Sequence, residues 1–190
     1  MKHLDRGQLV ELLRQARARR ERDWVLFLVS FWHGLRASEA VNLTPANFSV
    51  TSTGTFLDVQ RLKGSKRTVQ RLFEDPDELL NERAAVEAWL GQHSARYSAA
   101  ARSQRLFQIS RVQFYRLMRR YGRAAGLPDH LCHPHVLKHS IAMQTIKTAG
   151  IENVRQHLGH ESIASTGVYL EVDDDEAGRA IHRAFSPLNR

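Results

Sequence analysis

The chain has 190 residues, 42% of them apolar, with 28 Lys plus Arg against 20 Asp plus Glu for a formal charge of +8. That length and apolar share support one domain with a real core and argue against global disorder. The single cysteine, Cys132, excludes an intrachain disulfide framework and a four-cysteine zinc site; no apolar run reaches the roughly 18 residues of a membrane span; and the first residues, Met1-Lys2-His3-Leu4-Asp5-Arg6, carry no apolar signal core, so a cytoplasmic protein is expected.

In chain order, Leu9, Leu12, Leu13 and Ala16 recur at helical spacing while Arg14, Arg17, Arg19 and Arg20 take other positions, which predicts a first amphipathic helix. Trp24 to Trp32 is apolar nearly throughout, as a buried helix is, and Gly34 can stop it with a left-handed residue. Ser38-Glu39-Ala40-Val41 reads as a short helix ended before Pro45, and Asn42 to Asn47 as a turn. Residues 50–73 change character. Val50, Phe56, Leu57, Val59, Leu62, Val69 and Leu72 sit among Thr, Gly and Ser, which gives strands at about 55–61 and 67–72 around a Lys63-Gly64-Ser65-Lys66 turn. A two- or three-stranded antiparallel sheet of this size needs helices to cover it.

Pro76-Asp77-Glu78 opens a helix through Leu79, Leu80, Ala84, Val86 and Trp89 to about Gly91. Residues 91–104 read as a loop and Leu106 to Ile109 as a short extended piece. Ser110 caps a helix from Arg111 to Ala125 whose buried side is marked by Val112, Tyr115, Leu117, Met118 and Tyr121, and which ends at Gly126 and Pro128. Pro134 opens a helix to Ala149, stopped by Gly150; a short one follows over 151–158 and ends at Gly159; helices at about 161–168 and 173–185 complete the chain. With no internal repeat or low-complexity linker, the reading is one domain over 1–190, mainly α with a small antiparallel β-sheet (α+β).

Of the basic residues 23 are Arg, and residues 88–128 hold eight of them with no Lys and no acid. Forked guanidinium groups suit phosphate oxygens, so nucleic acid is the partner this stretch points to; a solvated Arg-rich surface fits the same charge. Several polar positions interrupt helix-packing context. Arg36 follows the Gly34 stop, Lys63 sits in the hairpin turn, and His135, Lys138 and His139 share one helical face. His160 follows Leu158-Gly159, and Tyr169 lies nine residues beyond it. Each has a plain structural alternative: Arg36 paired with Glu39, a turn lysine, a histidine at a helix start, a polar residue after a helix, a half-buried tyrosine. His133, His135, His139 and His160 with Cys132 offer metal-binding atoms, but Val136 follows His135 where a zinc-protease helix has Glu, so no metal is expected. As a set, a tyrosine nucleophile, two histidines, a guanidinium and two ammonium groups suit one substrate, a phosphodiester. Cations stabilise charge on its equatorial oxygens, Lys63 can protonate the leaving 5′-oxygen, and no cofactor is required.

Four motifs stand in a fixed order. Gly34-Leu35-Arg36-Ala37-Ser38-Glu39 matches GLRxSE, Lys63-Gly64-Ser65-Lys66 matches KGxK, His135-Val136-Leu137-Lys138-His139-Ser140 matches HxLRHS at every fixed position but one, and Leu158-Gly159-His160 matches LGH with Tyr169 at the matching distance. In these the chain resembles, over roughly residues 8–185, the catalytic domain of the tyrosine recombinases, the phage integrase and chromosome-dimer-resolving group. The resemblance implies the tyrosine recombinase catalytic domain fold. It implies a site-specific DNA recombinase (integrase) that breaks and rejoins DNA strands through a 3′-phosphotyrosyl intermediate. It gives Arg36 the role of the first catalytic arginine, Lys63 that of the catalytic lysine and Lys138 the place of the second arginine. His135 would transfer a proton near the nucleophile, His160 would hydrogen-bond the phosphate, and Tyr169 would attack. It further implies double-stranded DNA as partner and a tetramer on DNA through the C-terminal helix of about 173–185, with a monomer when free.

Two departures matter. Lys138 keeps the charge of an arginine but loses its rigid fork, so slower chemistry or compensation by another Arg is expected. The stretch before Gly34 is short, so the chain reads as a catalytic domain without an N-terminal DNA-clamping domain, with weak and salt-sensitive DNA binding. The competing function is a DNA-binding or regulatory relative with weak or no cleavage. An unrelated helical nucleic-acid binder would have no reason to bring Arg36, Lys63, His135, Lys138, His160 and Tyr169 together.

Overall fold

The structure, a computed structural model, describes residues 3–62, 65–93, 104–160 and 166. In chain order it places α1 (Arg6–Arg19), α2 (Glu21–Trp32), α3 (Ala37–Val41), β1 (Phe48–Thr51), β2 (Gly54–Val59), β3 (Thr68–Arg71), α4 (Glu82–His93), α5 (Arg111–Ala124), α6 (His135–Ala149) and α7 (Ile151–Leu158). The strands form one antiparallel sheet in the order β1-β2-β3, with Leu57 opposite both Phe48 and Gln70. A mainly helical domain with a small antiparallel sheet is what the sequence led us to expect. No helix among the described residues is long and apolar enough to cross a membrane.

The unbroken apolar run of α2 makes it the central helix. Trp24 through Val29 and Phe31 are buried, and α1, α4 and α6 pack around them. Phe27 stacks on Phe114 of α5 at 5.6 Å and meets the Tyr121 ring edge-on at 5.7 Å. The Tyr121 hydroxyl donates to the buried Asp23 carboxylate at 2.7 Å, and Arg22 pairs with the same carboxylate. Burial first, and then the Asp23 hydrogen bond, push the Tyr121 phenol up to about 12, so this tyrosine stays a proton donor in the core.

Three expectations change. The helix expected from Pro76 begins only at Glu82, because the Asp77 side chain accepts from Leu79 N–H and the Asp77 carbonyl accepts from Leu80 and Asn81 N–H, closing a turn. Asn81 then accepts from Ala84 N–H and starts α4. On α5, Val112 and Tyr115 face solvent, because the buried stripe at 3.6-residue spacing is Phe114, Met118 and Tyr121. Leu106 to Ile109 is bent rather than extended, with Gln108 at φ +49, although Leu106 N–H donates to Leu43 O at 2.7 Å and Leu106, Phe107 and Ile109 are buried. The expected helix at 173–185 lies outside the described residues, as does all but Thr166 of that at 161–168.

Tyr121→Phe removes one hydrogen bond to a buried carboxylate that keeps its other partner. A loss of about 1–2 kcal/mol in urea unfolding is expected, with no change in helix content by circular dichroism.

Candidate active site

The site is built where three chain turns meet a buried carboxylate. Gly34 has φ +54, and a Cβ there would lie 2.4 Å from Leu158 Cδ2 and 3.7 Å from Lys138 Cγ. Only a glycine lets the end of α2 close on α7 and α6 in this way. The turn delivers Arg36 to the start of α3. Glu39, one turn on, accepts from Arg36 N–H at 2.8 Å and from the Arg36 guanidinium at 2.9 Å. Leu62 N–H donates to the same carboxylate at 3.0 Å, and the Arg61 guanidinium at 3.4 Å. Arg36 also donates to Leu62 O and Ser65 Oγ, so the hairpin end fixes its guanidinium. Burial works against the Glu39 charge, yet the donors from Arg36, Leu62 and Arg61 hold the carboxyl below its ordinary value.

Lys138 on α6 reaches this cluster from the other side. Its side chain is buried, and its Nζ has no hydrogen-bond partner among the described residues. Burial, and then the positive charges of Arg61 and Arg36, bring the ammonium down to about 7; Glu39 opposes the shift. His135, one turn earlier on α6, is only partly covered and keeps solvent access, with its ring edge-on to His139 at 4.3 Å between centroids. Desolvation of its ring, then His139 and Lys138, lower it to about 4.

The end of α7 supplies the third side. Gly159 has φ +68, and a Cβ there would lie 2.7 Å from Lys66 O and 3.0 Å from Arg61 Cγ. The Gly159 carbonyl accepts from Lys66 N–H at 2.9 Å, which docks the hairpin on the end of α7. His160 follows, buried, with Nδ1 3.0 Å from Thr166 Oγ1. Burial, and then the charges of Lys138, Arg36 and Arg61, lower it to about 4. Arg36, His135, Lys138 and His160 are thus brought to one cationic cradle. Lys63 and Tyr169 lie outside the described residues. Among the described residues no group of His, Cys, Asp or Glu is placed to hold a metal ion.

One residue of the cradle was not anticipated. Arg61 is buried and donates to Thr68 Oγ1, Gly34 O, Glu39, His33 O and His157 O. The signal was present in strand alternation: Leu57 and Val59 face inward, and Arg61 is the next position of that period. Arg61 is also the guanidinium whose charge weighs most on Lys138. Its hydrogen bonds are already committed to protein acceptors, so it is poorly placed to replace the missing arginine fork.

A sequence profile of the phage integrase family matches residues 2–176. The chain is 32% identical over 155 residues to the type 1 fimbriae regulatory protein FimE of Escherichia coli strain K12, covering 78% of this chain and 73% of that protein. It is 32% identical over 160 residues to tyrosine recombinase XerD of Xanthomonas campestris, covering 80% of this chain but only 48% of XerD. The fold superposes on XerH site-specific recombinase bound to difH substrate with a TM-score of 0.73 at 19% identity, over 95% of this chain and 54% of that one. It also matches the catalytic domain of bacteriophage HP1 integrase with a TM-score of 0.62 at 21% identity, over 100% of this chain and 98% of that domain.

His157 and His160 are both held neutral by burial, at about 4 against an ordinary 6.5. Between those values the unfolded chain binds protons that the folded chain does not. Their contribution to stability is therefore complete above pH 6.5 and is lost as pH falls toward 4. Urea unfolding should show stability rising from pH 5 to 6.5, where ordinary carboxylates are already ionised. Replacing both histidines by glutamine should shrink that rise, leaving the part that His135 contributes.

Proposed function

The chain belongs to the phage integrase family of site-specific tyrosine recombinases, and we propose that it breaks and rejoins DNA strands at the cradle of Arg36, His135, Lys138 and His160, with Lys63 and Tyr169 completing the site. One observation carries this reading. Two guanidinium groups pair with one buried carboxylate, and Lys138 Nζ, near enough to feel their charge, has no hydrogen-bond partner among the described residues, so the cradle holds more positive than negative charge and an anion would complete it. A scissile phosphate is such an anion.

The Tyr169 oxygen attacks phosphorus, its proton passing to the neutral, solvent-open His135. The bond from phosphorus to the 5′-oxygen breaks, and Lys63 protonates that oxygen. The 3′-phosphotyrosyl link keeps the bond energy until a 5′-hydroxyl of a partner strand reverses the step. In the tautomer that accepts from the Thr166 hydroxyl at Nδ1, His160 carries its proton on Nε2 and donates it to a phosphate oxygen. A phosphate beside Lys138 favours its charged form. The α5 face opposite Phe114, Met118 and Tyr121 exposes Arg116, Arg119 and Arg120, which fits contact with the DNA backbone. We read the chain as one catalytic domain acting on DNA in the cytoplasm.

A nicked duplex built from the DNA flanking its gene should trap wild type as a covalent adduct, and Tyr169→Phe should abolish it. Binding without trapping would mark a DNA-binding relative instead. Lys138→Arg should hold its charge across pH, so adduct formation should speed up most at pH 8 to 9, where a lysine of this kind is depleted of its proton before DNA binds. Equal rates for the two proteins at pH 8 to 9 would show that lysine does not limit the reaction.

We further propose that copies assemble on DNA by inserting the C-terminal segment of about 173–185, with Ile181, Ala184 and Phe185, into a neighbour's apolar cavity. The supporting feature is a cavity of about 290 Å³ between α2, α6 and α7, lined by Trp32, Phe73, Ile141, Thr145 and Val154 among others. Thr145→Trp, which fills it, should leave binding to a single half-site intact and abolish higher-order complexes in sedimentation. Unchanged assembly would remove this cavity as the acceptor.

A further inference from the structure

We propose that Arg61 is a positioning residue for strand cleavage: its buried guanidinium ties the turn presenting Arg36, the end of the hairpin and the end of α7 presenting His160 into one frame, and sets a permanent positive charge beside Lys138. The inference rests on the recombinase reading above and adds to it a residue that does not touch the substrate.

The argument begins with the bonds. Nε donates to Thr68 Oγ1 at 3.2 Å, across the hairpin. Nη1 donates to Gly34 O at 3.3 Å and to Glu39 at 3.4 Å, on the segment that carries Arg36. Nη2 donates to His33 O at 2.8 Å and to His157 O at 3.0 Å, joining the end of α2 to the last turn of α7. Those carbonyls lie at helix ends, where backbone oxygens lack helical partners. A planar fork with five N–H groups can meet them together, whereas an ammonium cannot hold that spread. Gly159 makes room for the fork, since a Cβ there would lie 3.0 Å from Arg61 Cγ.

The charge argument is separate. Lys138 is faced by Arg36 and Glu39 from α3 and the turn before it, and by Arg61 from the hairpin. His157 and His160 face it from the end of α7, and His135 from its own helix. Arg61 comes first among the charges that oppose protonation of Lys138. A guanidinium keeps its proton at any working pH, so this opposition is constant. Removing it makes the Lys138 ammonium easier to form.

The test compares wild type, Arg61→Lys, Arg61→Gln and Thr68→Val on the nicked duplex from DNA flanking the gene, with Tyr169→Phe as blank. Loss of the fork should slow single-turnover adduct formation roughly 10- to 100-fold in both Arg61 variants, the scale of a small misplacement of reacting groups, while DNA affinity changes by only a few-fold. Arg61→Gln alone should move the fall of the rate with rising pH to higher pH. In DNA-free protein, NMR of ε-labelled lysine should show Lys138 titrating at higher pH in Arg61→Gln than in wild type or Arg61→Lys. Thr68→Val keeps the charge and removes one acceptor; it should slow the adduct several-fold with no pH displacement, and it tests the frame if the Arg61 variants do not fold. A lowered melting temperature with an unmoved Lys138 titration and an unmoved pH profile would make Arg61 merely structural and overturn the proposal, as would a Thr68→Val rate equal to wild type. If wild type forms no adduct, the recombinase reading fails, and the Lys138 titration still decides the charge effect.

Discussion

The buried carboxylate of Glu39 is the constraint on which the site depends. It gathers N–H donors from Arg36 and Leu62 and guanidinium donors from Arg36 and Arg61, and so joins α3 to the end of the hairpin. Burying an ion pair brings little net stability, because desolvation offsets the attraction, but leaving one partner alone is strongly unfavourable. Such a pair therefore acts on geometry more than on stability. It makes alternative placements of Arg36 costly, and it leaves the fold's stability to the apolar packing around α2.

Charge is unbalanced by design of the same elements. Arg36 and Arg61 pair with one carboxylate near Lys138, and burial first, then neighbouring positive charge, disfavours further protons. Lys138 falls toward neutrality, and His160 and His135 stay neutral at pH 7. The site thus stores unfavourable electrostatics that an anion would relieve, which is the physical sense of preorganisation. The cationic residue types alone do not produce this state. It requires that water be kept from Lys138, whose buried side chain packs its stem close to Gly34.

Two glycines set how closely the three sides approach. Gly34 lets Leu158 and Lys138 pack against the end of α2, and Gly159 lets Lys66 O and Arg61 pack against the end of α7. Both have positive φ, so conformation and space demand glycine together. Behind them runs a second polar layer: the fully buried His33 and Glu82 side chains meet at 2.7 Å, His33 Nδ1 is 2.6 Å from Gln70 Oε1, and His157 Nε2 donates to Trp32 O. This layer joins α2, β3, α4 and α7 beside the apolar cavity, with Arg61 bonded to the carbonyls of both His33 and His157.

By itself the sequence determined what depends on local spacing. The period of Leu9, Leu12, Leu13 and Ala16 gave α1, the stops at Gly34, Gly150 and Gly159 gave helix ends, and Ser110 gave the start of α5. Motif order likewise marks Arg36, Lys63, His135, Lys138, His160 and Tyr169. Spacing failed where a side chain competes with the helix, as Asp77 does, and where two apolar periods overlap, as Val112 and Tyr115 do with Phe114 and Met118. Only the tertiary structure decided that Arg61, an ordinary arginine in the chain, is buried at the hub, and that Lys138 lacks a partner among the described residues. Burial and charge proximity are set by segments more than 20 residues apart, such as Arg61 with Gly34 and His157, and no local pattern encodes those meetings.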